Sequence, residues 1–415
     1  MRWHSGGSRS AKDRGVPITE VPNIVPRSRV VIVVTVLDTA QNFVVGFAEH
    51  LTACNYDVTL VCDQGDQLVL PEGSLVRAVA VPMCRDPHPF RDCVSLVQLT
   101  RVLARLRPNV VMYATPKASL LAAVAARVAR VPERVYQLWG LRLETSTGLM
   151  RRVLSTAERV TSASSTAILA NSFSLAEQFR SLGLSSGRTV QVLGYGSSHG
   201  VDVERFSQDV KVDLGLHVED CERWPEDSRK PPDLTVGFVG RLHPDKGLGE
   251  LVEAMKICHG EGLNITLIVV GRGEGYQLPA ELLSNAFGRV ILIEHVADPR
   301  PIYRAIDVLV LPSHREGFPN VVLEAAAMGV PAIVSNATGV RDSVVDGVTG
   351  SIVPVHDSTA LAQRIRWYAE HPGAATVQGA RARVHVVQHY SQRAVWDATS
   401  DFISRQFRAH AGRET

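Results

Sequence analysis

Short β-branched and aliphatic runs alternate along the chain with segments whose apolar positions recur every three or four residues. "RVVIVVTVL" (29–37), "DVTLVCD" (57–63), "NVVMYAT" (109–115) and "RVYQLWG" (134–140) read as strands. Their apolar positions are continuous rather than alternating, so both faces are buried, as parallel sheets require. Between them "NFVVGFAEHLTAC" (42–54), "VSLVQLTRVLARLR", "ASLLAAVAARVA" and "LMRRVLSTAERV" have helical spacing. In the last of these, Leu149, Val153, Leu154, Ala157 and Val160 fall on one face. "AILANS" and "TVQVLGYG" are two further strands. Strand–helix alternation of this kind predicts a doubly wound α/β domain.

The pattern lapses between Val201 and Asp233, where "SQDVKVDLGLHVEDCERWPEDSRKPPD" is acidic, Pro-containing and weakly periodic. It reads as a linker with a surface excursion. Strands then return in "LTVGFVG", "NITLIVVG", "RVILIE" and "PAIVSN". Helices "GLGELVEAMKICH" and "NVVLEAAAMG" lie between them, with "IYRAIDVLVLPS" passing from helix into strand. The expected division is an extension over 1–28, a first domain over 29–200, a linker over 201–233, a second domain over 234–390, and a final helix and tail over 391–415. In that helix Val395, Trp396, Ile403 and Phe407 are available for packing. Open α/β sheets bind ligands beyond their strands' carboxyl ends, so two such domains imply a cleft.

Composition narrows the class. The chain has 415 residues, 45% hydrophobic and 21% charged, with a net charge of only +2. That is a globular composition, and the molecule as a whole is not an obvious nucleic-acid binder. Arg127, Arg130, Arg134, Arg142, Arg151, Arg152 and Arg159 form a run almost without Lys. It either faces an anionic surface or reflects a compositional preference for Arg. Six cysteines include no C-x-x-C pair and suit no zinc site by spacing, so buried or free thiols in a reducing compartment are expected. "MRWHSGGSRSAKDRGVPITEVPN" has no apolar core and reads as a disordered extension rather than a secretory signal. No run approaches the roughly 18 apolar residues of a spanning helix. The expectation is a cytosolic protein, with contact to a membrane surface left open.

Three loops at strand ends of the second domain carry the candidate chemistry. In "VGFVGRLHPDKGLGELVEAM" the strand ends at Gly240, Arg241 and Lys246 follow, and Gly247 opens a helix. A planar guanidinium and a compact ammonium beside a tight turn suit a polyphosphate; a solvated loop with a helix cap is the alternative. In "LIVVGRGEG", Gly271, Gly273 and Gly275 resemble a dinucleotide fingerprint, but no helix follows at once, which favours a plain turn. In "SHREGFPNVVLEAAAMGVP" the strand ends at Ser313 and Gly317 permits close backbone approach. Pro319 fits the first helical position, so a helix starts near Asn320, and its unpaired amides suit an anion. Glu316 lies just before that helix, and Glu324 about one turn inside, facing the same mouth. Two carboxylates there can grip two sets of hydroxyls with phosphate between them; the alternative for Glu324 is a favourable place in the helix dipole.

These stretches resemble a known family. "REGFPNVVLEAAAMGVPAIVS" is similar to the E-x7-E signature of retaining GT-B glycosyltransferases of the family 4 type, and "GRLHPDKG" looks like their Arg/Lys diphosphate loop. The likeness continues through "GVRDSVVDGVTGSIVP" and covers most of 235–390. It implies two Rossmann-like domains facing a cleft, with a C-terminal helix crossing back to the first. It implies that Arg241 and Lys246 hold a diphosphate, Glu316 the donor sugar's hydroxyls and Glu324 the nucleotide ribose. The backbone of Gly317, Phe318, Pro319 and Asn320 would hold donor sugar and phosphate, with Gly240 and Val296 completing the donor site and Val296 beside the base.

The first domain, in "TPKASLLAAVAARVARVPERVYQLWGLRLETSTG" and "VLGYGSSHGVDVERF", more loosely resembles a bacterial subgroup that builds polysaccharide or lipid-linked glycans. Ala114 and Trp139 stand where relatives usually carry His, and His199 stands where Asn is common. Thr115, Lys117 and Arg142 are the acceptor-side candidates, with capping or surface roles equally open. The chain has no Asp-x-Asp pair, so no metal and no cofactor beyond a nucleotide-sugar co-substrate, most simply a UDP-sugar, is expected. The implied reaction is sugar transfer with retention to a lipid-linked saccharide or other hydroxyl acceptor. The rival classes are a UDP-sugar epimerase of the same architecture, a catalytically weak nucleotide-sugar-binding homologue, and a hydrolase.

Overall fold

A computed structural model describes residues 27–84, 88–208, 233–273, 277–284, 287–294 and 296–411. The stretches read as an N-terminal extension and as a linker lie largely outside the described residues. The first lobe is a seven-stranded parallel sheet: β1 (Arg29–Val33), β2 (Asp57–Cys62), β3 (Arg77–Ala80), β4 (Val110–Tyr113), β5 (Glu133–Leu138), β6 (Ala167–Ala170) and β7 (Val190–Gln191), in the order β3-β2-β1-β4-β5-β6-β7. Its helices are α1 (Leu37–Phe43), α2 (Val45–Ala53), α3 (Pro89–Leu106), α4 (Pro116–Val128), α5 (Gly148–Ser164) and α6 (Phe173–Ser181). The second lobe has six parallel strands: β8 (Leu234–Val239), β9 (Ile265–Val270), β10 (Arg289–Ile293), β11 (Val308–Leu311), β12 (Ala332–Ser335) and β13 (Gly350–Val353), in the order β10-β9-β8-β11-β12-β13. With it run α7 (Leu248–Gly260), α8 (Ala280–Ser284), α9 (Arg300–Ala305), α10 (Asn320–Ala327), α11 (Ser358–Glu370) and α12 (Pro372–His389). This is the predicted GT-B architecture of two doubly wound lobes.

The continuous apolar runs are buried on both faces. In the first lobe, β1, β2 and β4 send alternate residues into two separate cores, one under α3 and α4 and one under α2. The strand order reverses between β1 and β4 in the first lobe and between β8 and β11 in the second. Such reversals open a crevice at the strands' carboxyl ends. The loops after β8 and β11 flank that crevice, and they are the loops that carry Arg241, Lys246 and Glu316.

Some local expectations are corrected. The strand expected over 29–37 ends at Val33. The helix expected over 42–54 is two helices meeting at Val44. The apolar stripe of α5 does not face the sheet as such a stripe ordinarily does. Leu149, Val153 and Val160 are exposed, while Glu158, Thr161 and Ser162 point inward. The cause is two buried phenols on neighbouring strands. Tyr136 donates to Glu158 Oε2 at 2.7 Å, and the Tyr113 hydroxyl pairs with Ser165 at 2.6 Å. An unpartnered buried hydroxyl is costly, so the polar face of α5 turns in. The Arg run is also largely structural: Arg127, Arg134, Arg151 and Arg159 each donate to a backbone carbonyl.

The chain enters the second lobe near Val201 and leaves it near Tyr390, and these passages are paired. Val201 N–H donates to Tyr390 O at 2.8 Å, and Gln392 N–H to Val201 O at 3.0 Å. The last helix, α13 (Gln392–Ala411), then crosses back. Phe402 and Ile403 enter the core under α2, and the Tyr56 hydroxyl meets that of Ser404 at 2.7 Å. Trp396 packs over Gly46, where an added Cβ would lie 2.9 Å from the indole.

Burial pushes the Glu158 carboxyl up to about 7, against the opposing effect of the Tyr136 bond. An acid whose folded pKa is raised binds its proton more tightly when folded. Its contribution is therefore full below its ordinary value near 4.5 and is lost as pH rises through about 7. Glu158→Gln keeps an acceptor for Tyr136 and cannot ionise. It is expected to gain up to about 3 kcal/mol on the wild type between acid and mildly alkaline pH. Urea unfolding of both proteins across that range checks this; parallel pH profiles refute it.

Candidate active site

The crevice of the second lobe is assembled by close backbone approach. Gly247 caps a short turn at Pro244–Lys246 with φ +70, and an added Cβ there would stand 2.1 Å from Pro312 O. Only glycine lets the β8 loop lie so tightly on the β11 loop. The His314 amide donates to Asp245 O at 2.7 Å, and Arg315 reaches Asp245 Oδ2 at 2.5 Å. Across this seam the Lys246 ammonium pairs with Glu316 Oε1, which also accepts from Ser313 Oγ at 3.1 Å. The Lys246 and Glu316 side chains keep only 15% and 18% of their surface exposed. Arg241 follows Gly240 just beyond the end of β8 at Val239, one residue earlier than expected, and is exposed.

α10 begins at Asn320, with Pro319 in the extended conformation of a cap, one position before the helix rather than inside it. No side chain caps this end, so its first-turn amides are presented to the crevice together with the helix dipole. Gly317, Phe318 and Pro319 are buried and Asn320 half-buried. One turn further, Glu324 Oε2 accepts from the Tyr303 hydroxyl at 2.7 Å. Burial raises the Glu324 carboxyl, while Tyr303 and Arg205 pull it down. Val296 is half-buried near Asp298, which is gripped by Arg300 at 2.6 Å.

The first lobe closes over the same loop. An added Cβ on Gly317 would be 1.7 Å from Trp139 O. Arg315 Nε donates to Thr145 Oγ1 at 3.0 Å, and Gly339 N–H to Ser174 Oγ at 2.8 Å. The Trp139 indole N–H is buried without a partner among the described residues. Ala114 is fully buried. Thr115, at φ +66, joins Thr35 through hydroxyls 2.6 Å apart, and Lys117 pairs with Asp92 at 2.8 Å. Arg142 is exposed on a short turn. The structure therefore gathers Lys246, Glu316, the 317–320 backbone and Glu324 along the crevice, whereas Thr115 and Lys117 have partners inside the first lobe. His199 is buried against Phe43 and Ser198, and burial pushes its pKa down to about 4, leaving a neutral ring near pH 7. Ser313 and Tyr303 were not legible as site residues: both buttress a carboxylate, and neither stands in a motif that names the contact.

Family models match both halves: "Glycosyl transferase 4-like domain" over residues 39–196 and "Glycosyl transferases group 1" over 233–371. The chain is 33% identical over 371 residues to the capsular polysaccharide biosynthesis glycosyltransferase CapM of Staphylococcus aureus, covering 89% of this chain and 95% of that protein. It is 27% identical over 311 residues to an Escherichia coli UDP-Gal:alpha-D-GlcNAc-diphosphoundecaprenol alpha-1,3-galactosyltransferase, covering 73% and 77% of the two chains. Among solved structures, the sucrose-phosphate synthase of Thermosynechococcus elongatus superposes with TM-score 0.73 at 19% identity, over 92% of this chain and all of that one (100%). Anabaena HepE, solved with UDP-glucose, superposes with TM-score 0.69 at 18% identity, over 91% and 99%.

Removing one member of a largely buried ion pair leaves the other uncompensated. Lys246→Met is expected to cost about 1–3 kcal/mol, discounted for the residual exposure of the pair. Lys246→Met with Glu316→Gln should recover much of that loss. Denaturant unfolding of the single and double variants checks this; strict additivity would remove the coupling.

Proposed function

Since the chain belongs to the group 1, family 4-type glycosyltransferases with the GT-B fold, we propose that it moves a sugar from a UDP-sugar to a hydroxyl of a lipid-linked saccharide, with retention at the anomeric carbon and without a catalytic metal. The observation that carries this reading is the Lys246–Glu316 pair beside the uncapped start of α10. Without donor, the cation and the carboxylate neutralise each other. A bound diphosphate offers Lys246 a stronger anionic partner and frees Glu316 to accept from sugar hydroxyls. Arg241, Lys246 and the α10 amides then stabilise charge growing on the leaving diphosphate; one such donor is worth about 2.7–4 kcal/mol of barrier. Glu324, with Oε2 held by Tyr303, has Oε1 for a ribose hydroxyl. In the retaining reaction the acceptor hydroxyl enters on the leaving group's face and passes its proton to the departing phosphate.

The names of the relatives support a glycan acceptor: CapM is named for capsular polysaccharide, and the E. coli enzyme for a diphosphoundecaprenol-linked sugar. Among the described residues, no helix is long and apolar enough to cross a membrane. The outward stripe of α5 gives a peripheral contact instead. Leu149 is 76% exposed and Val153 55%, beside the exposed Arg152. Such a face suits an anionic leaflet.

Incubation with UDP-sugars, with and without polyprenyl-pyrophosphate-linked acceptors, should give acceptor-dependent UDP release, at a rate that Mg2+ added to chelator-treated enzyme leaves unchanged. Epimerised donor, or binding without turnover, would overturn the reading. Glu324→Ala should weaken UDP itself by about tenfold or more, a hydrogen bond to charge being worth roughly 1.5–3 kcal/mol; equal affinity by calorimetry removes the ribose assignment. Leu149→Ser with Val153→Ser should reduce sedimentation with anionic vesicles while turnover of a water-soluble acceptor is kept. Unaltered sedimentation removes the α5 contact.

A further inference from the structure

Behind the donor loops lies a second polar cluster that sugar transfer does not use. Glu250 stands in the first turn of α7, His314 in the loop after β11, and His356 in the loop between β13 and α11. Both imidazoles reach one carboxylate oxygen: His314 Nε2 and His356 Nδ1 each lie 2.8 Å from Glu250 Oε1. The rings are tilted at 57° with centroids 4.0 Å apart. The three donor atoms all lie within 4.8 Å of one another, and no other such trio of His, Cys, Asp or Glu occurs among the described residues.

We propose that Glu250, His314 and His356 form a binding site for a divalent transition-metal ion of the zinc class, which ties α7 and the loops after β11 and β13 into one unit. Two imidazoles and a carboxylate, with a water in the fourth position, are a donor set that suits zinc. Zinc with nitrogen and oxygen donors near 2.1 Å holds its ligand atoms about 3.4 Å apart, so the carboxylate would draw back from each imidazole by about 0.6 Å while the two imidazole nitrogens, now within 4.8 Å, close toward each other through the exposed His356. The Glu250 and His314 side chains are 19% and 21% exposed, whereas that of His356 is 63% exposed. Two ligands are thus held by the fold and the third swings from solvent, which gives the ion a way in. His356 adopts φ +62, a conformation unusual for a residue with a side chain, and its ring meets Glu250 from there. The ion sits apart from the proposed diphosphate contacts, because Lys246 is paired with Glu316 and not with this trio. Its effect on the donor site would run through the backbone, since His314 is two residues from Glu316 and its amide is bonded to Asp245 O. The inference does not depend on which sugar is transferred, or on transfer at all.

The test uses untagged full-length protein stripped of metal by chelator. Titration with Co2+ should give visible absorption bands of a four- or five-coordinate ion, saturating at one equivalent and displaced by Zn2+. Zn2+ should raise the melting temperature as well, since it binds the folded form. His356→Ala, at an exposed position, and Glu250→Gln, which keeps an acceptor for both rings, should each weaken binding at least tenfold. No saturable binding below about 100 μM metal, or affinity equal to wild type in both variants, would overturn the site and leave a hydrogen-bonded tie between helix and loops.

Discussion

The seam between the β8 and β11 loops is the constraint on which the rest of the crevice depends. The two strands are neighbours at the point where the strand order reverses, so their loops diverge around a shared opening. Gly247 lets the first loop press against Pro312 of the second, and the Lys246–Glu316 pair closes the same seam from the side chains. Removing two partly buried charges from water is unfavourable unless each satisfies the other. Within the seam, Lys246 without a ligand therefore needs Glu316. On the proposed reading a diphosphate would be neutralised here, since the carboxylate that holds the ammonium stands just ahead of the uncapped start of α10. The pairing thus stabilises the resting fold and, on the proposed reading, would supply on exchange of partners the charge that transfer requires.

The fold was legible because burial on both faces forces a distinctive pattern. Runs such as "VVIV" and "TLIVV" admit few residue types, and the strand–helix alternation does the rest. The β8 and β11 loops were legible because glycine, cation and carboxylate stand at fixed offsets along a single stretch of chain. Contacts between distant segments were not. Tyr303 precedes Glu324 by 21 residues on another helix, and nothing in "IYRAIDVLVLPS" marks it as a buttress. Likewise, α5 misleads any reading by periodicity. Its apolar stripe is real, yet the face turned inward is chosen by Tyr113 and Tyr136, whose buried hydroxyls need oxygen partners. A local pattern yields here to a requirement imposed from the sheet.

The lobes meet over the donor loop at several points, and most of these contacts are polar. Arg315 with Thr145, Ser174 with Asp342, and Gly339 with Ser174 cross the cleft through hydrogen bonds, while Gly317 lies against Trp139 O with no room for a side chain. The covalent passages at Val201 and Tyr390 are bonded to each other, and α13 is anchored in the first core, so the two chain crossings form one connected tie between the lobes. The Trp139 carbonyl lies against Gly317, while its indole packs on the core under α2 with an N–H that has no partner among the described residues.

That unpartnered donor bears on the departure from family expectation at this position. A His there would offer a titratable nitrogen toward the reacting sugar, whereas an indole offers one fixed donor and no acceptor. The indole N–H is enclosed against the first-lobe core and is not presented to the crevice. Trp139 therefore contributes no proton transfer. Ala114 and the neutral, enclosed His199 add none either. What the crevice offers instead is positioning and charge: cations, helix amides and two carboxylates fixed by Ser313 and Tyr303. Chemistry that needs an acid and a base from the first lobe, such as epimerisation, finds few groups there, whereas transfer that hands its proton to the departing phosphate needs none.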